Sequence, residues 1–268
     1  MKRITLILLA ILLVLALTSC KGRRDAAKMP TDEIKAQIAT YSPLPSFKEA
    51  FRLLEDFQAK DYAPGISNQL YRIKPQGPYN AFALGVLTAD AAMAAKARNK
   101  KQLTSVSAEM MNLCSLMGLE TDVKRLSTLL TSNLQQGKWN DVEKTLDYMK
   151  KTLEDKLWEL EDYEYYTLMI LGGWTETLNS LGRLLTANYS PEATKALGHE
   201  SAWDSMQANF ELFTNPAIKD TQTYKDVGEL IPKVSQLLAG HTDNTYTKEQ
   251  VEELTKLTEQ IKQAFPAK

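Results

Sequence analysis

This chain of 268 residues has few of the side chains that do covalent or metal chemistry: two cysteines, Cys20 and Cys114, and two histidines, His199 and His241. Two thiols are too few for a disulfide framework. With no H-E-x-x-H, no Glu-x-x-His pair and no C-x-x-C, zinc and di-iron chemistry lack a recognisable ligand set. A G-x-S-x-G elbow, a Walker A loop and a G-x-G-x-x-G turn are all missing, so the common nucleophile and phosphate cradles are excluded too. Strand-like alternation is equally scarce. Apolar residues recur at three and four almost throughout, so the fold expected is all-α: a multi-helix bundle of roughly ten helices, mostly antiparallel neighbours.

Only one long apolar run exists. It covers the 14 residues from Ile4 to Leu17 and is interrupted by Thr5 alone. Met1-Lys2-Arg3 precedes it and Thr18-Ser19-Cys20 follows, the charged, apolar, small-residue order of a secretory signal. A helix crossing the hydrocarbon core needs about 20 residues, so this run is too short for a permanent span. Its ending, Leu17-Thr18-Ser19-Cys20, resembles the bacterial lipobox. That resemblance implies removal of residues 1–19, acylation of Cys20 (palmitate among the chains) and a bilayer as partner. Lys21 rather than Asp after the cysteine is similar to lipoproteins sorted to the outer membrane, and implies a domain facing the periplasm.

Removal of Lys2 and Arg3 would leave 30 basic against 33 acidic residues, a formal 30 − 33 = −3. That balance implies no nucleic-acid partner. Lys21, Arg23, Arg24 and Lys28 against Asp25 give residues 20–30 a local +3, suited to a tether lying on anionic headgroups. Residues 31–268 are then an all-helical domain, with a core at about 79–188 and C-terminal helices over 190–268.

Several elements have chemical start and stop signals. A short helix is expected over Thr31–Tyr41. Ser46-Phe47-Lys48-Glu49 reads as a capping box for a helix reaching Lys60, followed by a loop with one turn near 68–73. Pro78 starts a helix that is apolar on every side, whose small residues and Gly85 let neighbours come close. Gly118 and Gly137 close the next two, and Val142, Leu146, Met149, Leu153, Leu157 and Leu160 form a near-heptad seam. A helix over 163–188 contains Gly172-Gly173, and Asn215-Pro216 ends the one after Glu200. Pro232 falls inside a helix over 223–239, and Thr247 with Gln250 caps the last.

The candidate site residues follow from charge in apolar surroundings. Asp90 sits in the apolar helix, where an ionised carboxylate needs a partner. Arg183 is the partner suggested for it, and Glu176 is a second acid that could join it in an interhelical pocket. Cys114 reads as core, and His199 and His241 as solvated charges beside Gly198 and Gly240. The acidic-aromatic run over 159–166 reads as a solvated face with rings packing a corner.

One internal echo, Gly137-Lys138-Trp139 against Gly172-Gly173-Trp174 at an offset of 35, resembles the turn and second helix of a tetratricopeptide repeat. Together these features lead to the expectation of a non-enzymatic interaction or scaffold lipoprotein of the cell envelope, with no cofactor or metal and an envelope protein as partner. The alternatives are a small-ligand carrier or sensor with a pocket near Asp90, and a tetratricopeptide-like adaptor.

Overall fold

A computed structural model describes residues 47–74, 76–160, 162–239 and 243–266. Cys20, the basic tether, the Thr31–Tyr41 helix, Ser46 and His241 lie outside them. The regular elements of the described residues are helical, without strands, as the periodicity requires. The long helices are α1 (Tyr79–Lys96), α2 (Lys100–Leu116), α3 (Glu120–Gln135), α4 (Trp139–Glu159), α5 (Tyr163–Ala187), α6 (Glu200–Glu211), α7 (Gln222–Leu238) and α8 (Lys248–Ala264). Single helical turns lie between some of them.

The ends obey local chemistry. Asn99 accepts from the Gln102 N–H to cap α2, Asp162 does the same for α5 through Tyr165, and Thr247 with Gln250 forms the reciprocal capping box of α8. α2 and α3 stop at Gly118 and Gly137, whose φ values of 75° and 68° lie in the left-handed region that side chains with a Cβ avoid.

α1 is the centre of the body. Every residue from Tyr79 to Ala95 is buried, as its lack of a polar face predicts. It packs most extensively against α5, and the two run parallel. Gly172 lies against Phe82 and Val86 near one end, Asp90 reaches Glu176 further along, and Met93 and Ser180 meet over Gly65 at the other end. Pairs joined by short turns are antiparallel: Asn133 bonds Thr145 and Asp122 faces Lys156 across α3 and α4. α8 returns antiparallel to α5, with Glu176 facing Lys262 and Gly182 facing Thr255.

Three local expectations are corrected. The helix expected to reach Lys60 breaks after Ala50 into two 3-10 turns, Arg52–Leu54 and Ala59–Gly65. Tyr62 explains the break: its hydroxyl donates to the Leu54 carbonyl, and its ring meets Phe51 and Phe57 edge-on or tilted. Folding back over α1 therefore buries three rings that a straight helix would leave apart. No helical turn forms near 68–73; this stretch is irregular, and its Lys74 N–H donates to the Pro266 carbonyl. α6 ends at Glu211, four residues before Asn215, and Asn215-Pro216 instead opens a further turn, Pro216–Lys219, in which the Asn215 side chain accepts from the Ala217 N–H.

The acidic-aromatic corner is more bonded than a solvated face. Trp158 packs edge-on against Tyr163 and Tyr166 as expected. Glu164 is not free in water: its Oε1 accepts the N–H groups of Thr214 and Asn215. The two halves of the internal echo differ in structure, since Gly137 is the turn between α3 and α4 whereas Gly172 lies in the middle of α5.

Candidate functional site

α5 carries Glu176, Asn179, Ser180 and Arg183 at spacings of 3, 4 and 7 from Glu176, which places all four on one helical face. α8 brings Thr255, Thr258 and Lys262 to that face, α1 brings Asp90, and the turn ending at Gly65 brings a carbonyl. The centre of the cluster is Glu176, with no solvent exposure at all. Its Oε1 accepts from Ser180 Oγ at 2.6 Å and from Arg183 Nη2 at 2.8 Å, and its Oε2 pairs with Lys262 Nζ at 2.5 Å.

Arg183 is the tie between elements. Its Nη2 also donates to the Gly65 carbonyl at 2.7 Å, and its Nη1 donates to Asn179 Oδ1. Asn179 in turn donates to the Thr255 carbonyl and to Thr258 Oγ1 on α8. Lys262 lies 5.7 Å from the ring centroid of Tyr71, whose hydroxyl donates to the Lys262 carbonyl.

Asp90 and Glu176 are adjacent buried acids with opposite protonation. Burial, then the negative charge of Glu176, holds the Asp90 carboxyl well above the usual carboxylate range. Asp90 is therefore the neutral acid that donates to Glu176. Burial also works against ionisation of Glu176, but Lys262 and Arg183 outweigh it and keep its carboxyl below the usual range.

The structure thus brings the three sequence-selected residues together, with one exchange of partners. Arg183 pairs with Glu176, and Asp90 contacts Glu176 rather than the guanidinium. Lys262 was not singled out by the sequence. It sits beside Ile261 on the edge of the α8 apolar stripe, and its only signal is a charge next to a core position, which many solvated lysines share.

Chemically the cluster is a brace. Glu176 faces both Arg183 and Lys262, and Glu259 supplies the second carboxylate 3.3 Å from Lys262, so the charges balance around a buried centre and join α1, α5, α8 and the Gly65 turn. Next to it runs a crevice lined by Thr88, Ala89, Met93, Lys150, Gly173 and Ser180, among others. Its volume is about 20 Å³, room for a water or two.

Lys150, which lines that crevice, belongs to a second buried pair. Lys150 and Glu154 on α4 approach to 3.6 Å, and both are nearly inaccessible. Burial pushes the Glu154 carboxyl up to about 7, against the pull of Lys150. An acid raised in the fold contributes fully below its unfolded pKa, and that contribution is lost as pH rises towards the folded value. Stability should therefore fall between about pH 4.5 and 7, by up to roughly 3 kcal/mol from this group. Urea unfolding at pH 5 and pH 8 checks it: Glu154→Gln should show a smaller loss than the parent, and an equal loss would refute the assignment.

Cys114 is fully buried in α2, as expected, and burial pushes its thiol up to about 12. His199 differs from expectation. It is half-buried with its ring 4.8 Å from Trp174, and burial lowers its pKa, so it is not a solvated cation. Among the described residues no three His, Cys, Asp or Glu side chains converge into a group that could hold a metal ion. No protein-family model, no curated protein and no solved structure matches this chain.

Proposed function

We propose that the chain is a lipid-anchored envelope protein, acting without catalysis as an interaction or scaffold protein on the periplasmic side of the outer membrane. The observation that carries this reading is the order of residues 1–20: Met1-Lys2-Arg3, the 14-residue apolar run, then Leu17-Thr18-Ser19-Cys20. The bilayer is one partner, through acyl chains on Cys20, and an envelope protein is the other; nucleic acid is not. The body suits the role. Its buried charges pair internally and its crevice admits a water or two, features of a rigid body that presents a surface rather than encloses a ligand. No helix among the described residues is long and apolar enough to cross a membrane.

A carrier with a pocket near Asp90 would need the crevice to open well beyond its present volume, and a tetratricopeptide-like adaptor would need the echo at Gly172 to be a turn. The test is Cys20→Ser in cells fed a fatty-acid label. The parent should be labelled and sediment with membranes, while the variant should be unlabelled and released to the soluble envelope fraction. An unlabelled parent, or a variant that stays with membranes as before, overturns the proposal.

A further inference from the structure

The turns at one end of the α1–α4 bundle hold an unbalanced set of cations. Lys96 at the end of α1 pairs with Glu143 near the start of α4 at 2.8 Å, which fixes the α1–α2 turn beside the α3–α4 turn. Around that pair Arg98, Lys100, Lys101, Lys138 and Lys144 are all exposed, and none has an ion-pair partner among the described residues. Residues 96–101 and 136–144 hold six basic and two acidic side chains, a formal 6 − 2 = +4; the segment 49–61 beside them adds Arg52 and Lys60 against Glu49, Glu55, Asp56 and Asp61, 2 − 4 = −2, and leaves the end at +2 in a chain that is otherwise acidic. The described residues of the opposite turns, 116–122, 156–160 and 162–164, hold Lys156 against five acids, 1 − 5 = −4. The 18 residues of α1 separate the ends by about 27 Å, several Debye lengths at physiological salt, so neither cancels the field of the other.

We propose that this basic end is a docking surface for an anionic lipid bilayer, holding the body upright on the membrane with its acidic end outward. The inference rests on the lipid-anchored reading, and it adds an orientation and a set of residues to it. Two observations favour a bilayer over other polyanions. Charge complementarity is one, since headgroup phosphates form a plane of negative charge that a cluster of unpaired cations attracts cumulatively. The other is the tether: Phe51 lies under Lys96 Nζ, 5.7 Å from its ring centroid, and Ala50 beside it lines the crevice near Lys150, so the described chain begins on the flank next to this end. The 26 residues from Lys21 to Ser46 reach at most about 90 Å even fully extended, so an anchored chain keeps the body near the headgroups at high effective concentration, and the charge asymmetry selects which end meets them.

The test uses the mature chain carrying Cys20→Ser, so that no lipid contributes, mixed with phosphatidylglycerol-containing or pure phosphatidylcholine vesicles. The parent should co-sediment with the anionic vesicles and release as salt rises. Reversing Arg98, Lys101, Lys138 and Lys144 to glutamate should cut partitioning at least tenfold. Reversing four exposed cations elsewhere, Lys124, Arg125, Lys219 and Lys233, should cut it far less, with both variants checked for an unchanged melting temperature. Equal losses in the two variants, no loss in the first, or equal binding to neutral vesicles would overturn the proposal. Fatty-acid labelling of the unmutated chain reports separately on the anchor, so failure of one reading is distinguishable from failure of the other.

Discussion

Replacing Glu176 with alanine should destabilise the protein by about 3–5 kcal/mol, the range for removing one partner of a buried ion pair. The reason is what remains behind. Lys262, with a side chain only 7% exposed, is left with the half-exposed Glu259 alone, and Arg183 loses its only carboxylate partner among the described residues. Asp90→Asn should by contrast be nearly neutral below the ordinary carboxylate range and stabilising at pH 7: the neutral acid and the amide have similar size and the amide N–H can still donate to Glu176, but the amide does not have to hold a proton that the unfolded acid releases. Lys262→Met should rescue part of the Glu176→Gln loss, since the pair is coupled and an apolar chain fills the space without an orphaned charge.

The same assignment fixes the signs with pH. Glu176 is lowered, so its contribution is present above the unfolded pKa and lost as pH falls through its folded value. Asp90 is raised, so its contribution is full at low pH and lost as pH climbs above the ordinary carboxylate range, and Asp90→Asn should remove that alkaline-side loss. Thermal melts of the parent, Glu176→Ala and Asp90→Asn across pH decide the matter. If Asp90→Asn proves as damaging as Glu176→Ala at neutral pH, Asp90 is ionised and the proton has been placed on the wrong acid.

How far this cluster could be read beforehand depends on which physical signal each part leaves in the sequence. A charge inside an apolar helix is visible at once, so Asp90 stands out, and Arg183 and Glu176 follow only as charges on a long helix that could partner it. Lys262 left no such mark, because a lysine at the edge of an amphipathic stripe is ordinarily solvated. Helix ends written in capping residues and left-handed glycines were legible to within a residue or two, as at Gly118, Gly137 and Thr247. The break after Ala50 was not, because it comes from Tyr62 reaching back to Leu54, a contact that helical periodicity does not encode. Direction was hidden as well: the lack of a polar face tells that α1 is buried all round but not that its main neighbour, four helices later, runs parallel to it.

That parallel contact sets the other large effect. Along most helices Gly→Ala stabilises by about 0.5–1 kcal/mol, because alanine loses less backbone entropy on folding. At Gly85 and Gly172 the sign should reverse. A Cβ on Gly85 would collide with the Met169 carbonyl and lie 2.7 Å from the Gly173 nitrogen, and one on Gly172 would collide with the Phe82 carbonyl. Each obstacle is backbone, so relief requires moving a whole helix in the middle of the core rather than turning a side chain. Either alanine should therefore cost about 3 kcal/mol, the upper end of overpacking losses, and lower the melting temperature by roughly 6–12 °C. Because both substitutions wedge open one gap, the double variant should lose clearly less than the sum of the two. Gly228 in α7 supplies the contrast: its Cβ would meet only a ring carbon of Phe210 at 3.8 Å, an ordinary contact, so Gly228→Ala should raise the melting temperature. Should Gly85→Ala also raise it, α1 and α5 are not in backbone contact there, and with that contact would go the alignment that brings Asp90 to Glu176.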